Sequence, residues 1–427
     1  MTIPLLTNCV HNTEDLFDKP AGERIAESLL TYRELLMEQT NGWIMEYYPE
    51  KTQKYGGFNL YFRFEDHQVT ARSEFDPDIS ATSAWSMGAD MGPTINFDTY
   101  NDVLHYNFSD PGVPLGGGYG LNREGDYEFI VESGSADEFI LRGKKTGNII
   151  RMTPLPASSW ENYLQSLENM KYNVLAPAYE MTVANRDISI MKSAGTNAFT
   201  LKTGNETIFA PFIVTLTGIK FYEPITVLTE TLQVFTYHAG ADKMISDQGN
   251  AEISFSYPPL NKYFIDNLTL TDWYLKTENI GPGYLPAWNT MKDNLNDYLG
   301  EELYAMWFGM LNTDGPAGIS FASYEPGEGL WGGVYVYHFE SIGDNRIKLA
   351  YNAVSTSING INADFYDTYS DMGAFTISAF NGKTFTITPD TDITDPKNMV
   401  KIKELTLTDV ANPDNWITVS LEPALWP

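Results

Sequence analysis

The chain has 427 residues, with 56 acidic side chains against 27 basic ones and a formal net charge of −29. A surface so anionic repels phosphate backbones, which excludes nucleic acid as a partner and leaves neutral or cationic ligands and other proteins. A single cysteine excludes an internal disulfide and any thiolate zinc cage, and no run of eighteen apolar residues is present to span a membrane as a helix.

The first periodic segment follows Pro20. In "AGERIAESLLTYRELLM" the apolar Ile25, Leu29, Tyr32 and Leu36 recur at helical spacing, and Asn41-Gly42 breaks the helix. The period then changes to two. In "FNLYFRFE" Phe58, Leu60, Phe62 and Phe64 face one way while Asn59, Tyr61 and Arg63 face the other. Short strands continue through "QVTARSEF", "PTINFD", "VLHYNF", "DYEFIVE", "EFILRG" and "NIIRMT", separated by turn residues.

Ser158, with Glu161 three residues on, announces a second helix whose stripe is Trp160, Tyr163, Leu164, Leu167 and Met170. Strands resume from "YEMTVA" to "LQVFTYH" and "AEISFSY". A third helix begins at Pro286, carries Trp288, Met291, Leu295 and Leu299, and stops at Gly300. Strands then run to the end, among them "WGGVYVYHF", "GAFTISAF" and "KTFTITPD". The expected fold is mainly β with a few helices: antiparallel meander units, barrel-like (lipocalin-like or sandwich), each preceded by an amphipathic helix. The expected layout is a tether over 1–18, an N-terminal β domain over 19–157, a middle unit over 158–278 and a C-terminal domain over 279–427.

Signals for catalysis are sparse. The five histidines, His11, His67, His105, His238 and His338, show no metal-ligand spacing, and both HExxH and GxSxG are absent. The glycine-rich "GGGYG" at 116–120 lacks the Lys-Ser/Thr of a phosphate loop and reads as a surface loop. Asp390, Asp392 and Asp395 in "DTDITD" are alternating acids that can wrap a hard cation, but a solvated turn is the simpler reading, so no cofactor is expected and calcium is the alternative. In "WGGVYVYHF", Tyr335 and Tyr337 share a face near Trp331. With the valines taken as the core side, these rings become a stacking surface for a ligand; the opposing reading makes the aromatic face the core.

Cys9 stands behind Leu5-Leu6-Thr7-Asn8, which resembles the end of a bacterial lipoprotein signal, with its basic and apolar beginning upstream of Met1. The resemblance implies lipid attachment at Cys9, and the acidic Glu14, Asp15 and Asp18 behind it resemble a signal for export to the cell exterior. Stretches such as "DLFDKPAGERIAESLLTYRELLMEQTNGWIMEYYPE", "INFDTYNDVLHYNFSDP" and "GDYEFIVESGSADEFILRGKKTGNIIRM" resemble a family of gut Bacteroidetes outer-membrane lipoproteins, domain of unknown function 4302. The resemblance implies a cell-surface protein, held in the outer membrane by its lipid alone. It further implies a non-enzymatic accessory to a TonB-dependent importer and its partner lipoproteins, binding or presenting a glycan or peptide. A glycoside hydrolase using two carboxylates and a structural subunit of an importer complex are the alternatives.

Overall fold

The computed structural model describes residues 20–75, 77–110, 123–156, 159–192, 195–268, 272–310, 315–357 and 363–421. Its strands close into three eight-stranded antiparallel barrels, each a meander whose last strand pairs with its first. The first spans Trp43–Tyr47 to Ile149–Pro154 and closes with Trp43 opposite Pro154. The second spans Ala178–Val183 to Ala251–Ser256, closing with Ala251 opposite Val183. The third spans Trp273–Ile280 to Trp416–Ser420, closing with Tyr274 opposite Ser420. The chain divides into two compact units. One carries the first barrel up to Leu164, and the other carries the second and third barrels together with the turn Gln53–Gly57.

Among the described residues six α-helices accompany the barrels: α1 (Ala21–Glu38), α2 (Trp160–Val174), α3 (Leu260–Asn267), α4 (Leu285–Leu299), α5 (Ala363–Tyr369) and α6 (Met372–Phe380). None among the described residues is long and apolar enough to cross a membrane.

Period two builds the barrel interiors. Leu60 and Phe62 point inward and are fully buried, as are Val69, Ala71, Phe129, Leu141 and Ile150 on neighbouring strands. Side chains therefore fill the first barrel, as eight strands leave room for little else. α1 covers one end: Tyr32 meets Phe139 edge-on at 5.7 Å, and the Arg33 guanidinium lies 4.9 Å over Trp85. Phe108, carried on a π-turn at His105–Ser109, fills the other end against Tyr47 and Phe58. "VLHYNF" is thus not a strand. His105 accepts a hydrogen bond from the Asn101 N–H at 3.0 Å, and the Val103 N–H bonds the Asn101 side chain, which bends the segment into a turn.

Two further expectations are corrected. "GAFTISAF" is helical: Met372, Phe375, Thr376, Ala379 and Phe380 are buried at helix spacing, although Thr376 and Ile377 favour strands. The helix beginning near Pro286 forms and stops at a left-handed Gly300 (φ 68°), but it is inserted after the first strand of the third barrel. The helix that leads that barrel is the short α3, so the third unit begins before 279. At α2 the capping side chain described is Ser159, whose Oγ accepts from the Asn162 N–H at 3.2 Å; Ser158 lies outside the described residues.

Candidate functional site

A cleft of about 480 Å³ opens on the outer wall of the first barrel. Its floor follows from strand register. Tyr61, Arg72 and Ser80 form one row across three adjacent strands, and Arg63, Thr70 and Thr82 form the next. The alternation that sends Leu60 and Phe62 inward sends Tyr61 and Arg63 outward. The hydroxyls of Thr70 and Thr82 stand 3.5 Å apart.

The first turn of α2 makes the wall. Trp160 packs on Tyr61 at 5.7 Å between ring centres and stacks on Tyr163 at 5.6 Å. The Tyr163 hydroxyl donates to Asn59 Oδ1 at 2.7 Å, and Asn59 Nδ2 donates to Glu74, so α2 is held to the wall by a buried polar chain. Glu161 pairs with Arg72 across the cleft. Its own backbone N–H first, then Arg72 and Ser159, hold the Glu161 carboxyl below the usual carboxylate range. Burial pushes the Tyr61 phenol up, with Arg63 and Arg72 opposing. Hydroxyls, an amide from Asn41 and two guanidiniums therefore face one cavity. These groups can hydrogen-bond a polar ligand, and the constellation has no nucleophile paired with a base.

The residues singled out from sequence lie elsewhere. Tyr335 and Tyr337 are buried inside the third barrel, so their face is the core and not a solvent-exposed stacking surface. The Tyr335 hydroxyl donates to Asp367, and Tyr337 donates to the Thr376 carbonyl at 3.1 Å. Trp331 packs partly buried against the same core and donates Nε1–H to Glu325 at 3.1 Å. The physical reason is volume: the large rings fill the barrel, while Val334 and Val336 are buried on the opposite face.

Asp390, Asp392 and Asp395 are each engaged by a turn. Asp392 accepts from the Thr394 N–H at 2.9 Å, Asp395 from the Lys397 N–H at 3.0 Å and the Tyr172 hydroxyl, and Asp390 from the Thr391 hydroxyl at 3.1 Å. Among the described residues no group of three or more His, Cys, Asp or Glu is placed to hold a metal ion, this trio included. Cys9 and "GGGYG" lie outside the described residues.

Sequence reasoning missed Arg63, Arg72 and Trp160 as neighbours. The only available signal was the polar face of two consecutive strands; the approach of α2 to it has no local signature. It also missed Glu301, a buried carboxyl in the third barrel that accepts from Ser323 and from Tyr366 at 3.1 Å. Burial, with Glu325 adding to it, holds Glu301 above the usual carboxylate range, while those two hydroxyls oppose.

Among curated proteins none matches the chain. A β sliding clamp from C. crescentus is among the solved structures found, at 10% identity over 94% of this chain and 97% of that one, with a TM-score of 0.13, too low for a shared fold. The family described as Domain of unknown function (DUF4302) matches residues 13–239, which include the whole cleft, and the chain belongs to that family.

Proposed function

We propose that this member of the DUF4302 family is a non-enzymatic, lipid-anchored protein of the outer membrane surface that captures or presents a ligand for a TonB-dependent importer. The observation that carries ligand capture is the cleft on the first barrel, where Arg63, Thr70, Thr82 and Arg72 converge beside Trp160. Hydrogen-bonding groups around a concave surface suit a glycan, whose hydroxyls need many partners. The three barrels are packed with side chains, which favours an outer-wall site over a hollow barrel.

The anchor rests on the sequence around Cys9. Expressed behind a lipoprotein signal, the protein should incorporate labelled fatty acid and partition into detergent, and Cys9→Ser should abolish both. Equal labelling of the variant would overturn the anchor. Ligand capture is tested by glycan-array binding of the full chain and of a Thr70→Val, Thr82→Val double variant, which removes the hydroxyl pair of the cleft floor. Binding unaffected by that change would move the site elsewhere.

A further inference from the structure

We propose that the cleft on the first barrel takes a sugar unit bearing a carboxylate, with Arg63 as its counter-charge. This rests on the glycan reading given above and narrows it.

The charged side chains lining the cleft are Arg63, Arg72 and Glu161, and Glu65 stands 3.1 Å from Arg63. Each guanidinium is thus matched by one carboxylate, and an anionic group binds where it can displace one of them on a chain of net charge −29. The two arginines are held differently. Arg72 is the less exposed, and its pair with Glu161 joins the floor to the first turn of α2. Arg63 has a side chain 45% exposed and meets Glu65, itself 56% exposed, at 3.1 Å. An exposed pair of this kind contributes little, so an incoming carboxylate can take the place of Glu65 and use the planar guanidinium in two parallel hydrogen bonds.

Thr70 is the cross-strand neighbour of Arg63, and Thr82 follows in the same row. Their hydroxyls line the same cleft as the guanidinium, which offers partners to the ring hydroxyls next to a sugar carboxylate. A bare anion would use the arginine and leave this hydroxyl row idle; a neutral sugar would use the row and leave Arg63 idle. The combination matches a uronic acid unit.

The test uses the full chain and calorimetric titration with trigalacturonate and with galactotriose. The acidic trimer should bind about tenfold more tightly than the neutral one, one charge-assisted contact being of that order. Arg63→Gln should erase the difference between the two trimers, with an unaltered melting temperature because the side chain is exposed. Equal affinity of the two trimers for the native chain would overturn the inference while leaving glycan capture standing. Binding of neither would remove the glycan reading of the cleft, and with it the inference. Acid-selective binding that survives Arg63→Gln would also overturn it, as would displacement of the acid trimer by millimolar inorganic phosphate.

Discussion

The indole of Trp273 donates its Nε1–H to the carbonyl of Phe264 at 3.2 Å while the two rings stack at 5.6 Å. Trp273 opens the third barrel, and Phe264 lies in the helix that leads it. The first barrel repeats the device: Trp43 donates to the Leu36 carbonyl at 3.0 Å. In the second, the Tyr179 hydroxyl donates to the Val174 carbonyl at 3.3 Å and accepts from the Ala176 N–H at 2.9 Å. Each barrel thus ties its first strand to the end of the preceding helix through one buried aromatic, which satisfies carbonyls that a helix end leaves open.

Trp273→Phe keeps a ring but deletes the donor and part of the volume. The expected loss is about 2 kcal/mol, from an unpaired buried carbonyl plus a small cavity. Urea denaturation followed by near-ultraviolet circular dichroism measures it. A midpoint equal to that of the native chain would show that the tie contributes nothing.

Asp272 provides a pH signature. Burial lifts its carboxyl to about 6, against hydrogen bonds from the Tyr274 hydroxyl and the Met310 N–H. The folded chain then binds this proton more tightly than the unfolded chain, whose carboxyl titrates near 3.8. Its contribution to stability is full below about pH 4 and falls as the pH rises toward 6. Asp272→Asn should flatten that decline and stabilise the chain by on the order of 1 kcal/mol at pH 7, since the site is only partly buried. Melting temperatures between pH 4 and 7 check the slope, and an unchanged slope in the variant would assign it to another group.

Tyr335→Ala and Tyr337→Ala should each cost about 3 kcal/mol or more, because each empties a ring-sized volume from the third barrel. Tyr337→Phe should cost about 1 kcal/mol, the loss of its bond to the Thr376 carbonyl. Guanidinium denaturation of the three variants decides the ordering. A loss below about 1 kcal/mol for the alanine variants would mean the rings are not core.

Calcium should leave the melting temperature unchanged, and so should its removal by a chelator. Asp392 and Asp395 already accept hydrogen bonds from Thr394, Lys397 and Tyr172, and these hold both carboxyls below the usual range. A rise of several degrees on adding millimolar calcium would show that the loop rearranges into a cation site.

Strand periodicity made the inward row of Phe58, Leu60, Phe62 and Phe64 legible without a structure, as helical spacing did for α1 and for Trp288, Met291 and Leu295 of α4. Period and turn chemistry are local properties, and a mainly antiparallel β chain with a few amphipathic helices follows from them. The same locality misled at "GAFTISAF", where β-branched residues outvoted a helical pattern of burial, and at Tyr335. On that strand both faces alternate apolar residues, and only ring closure decides which one fills the interior.

Composition, charge and period by themselves determined a folded, anionic, mainly antiparallel β chain organised in repeated units. The tertiary structure alone decided that each set of strands closes into a ring, which aromatic rows lie inside, and that Trp160 meets Tyr61 beside Arg63 and Arg72. Trp160 and Tyr61 are separated by 99 positions, and no local preference encodes such a contact; it forms because α2 must bury its aromatic stripe, and the outer wall of the first barrel offers the surface.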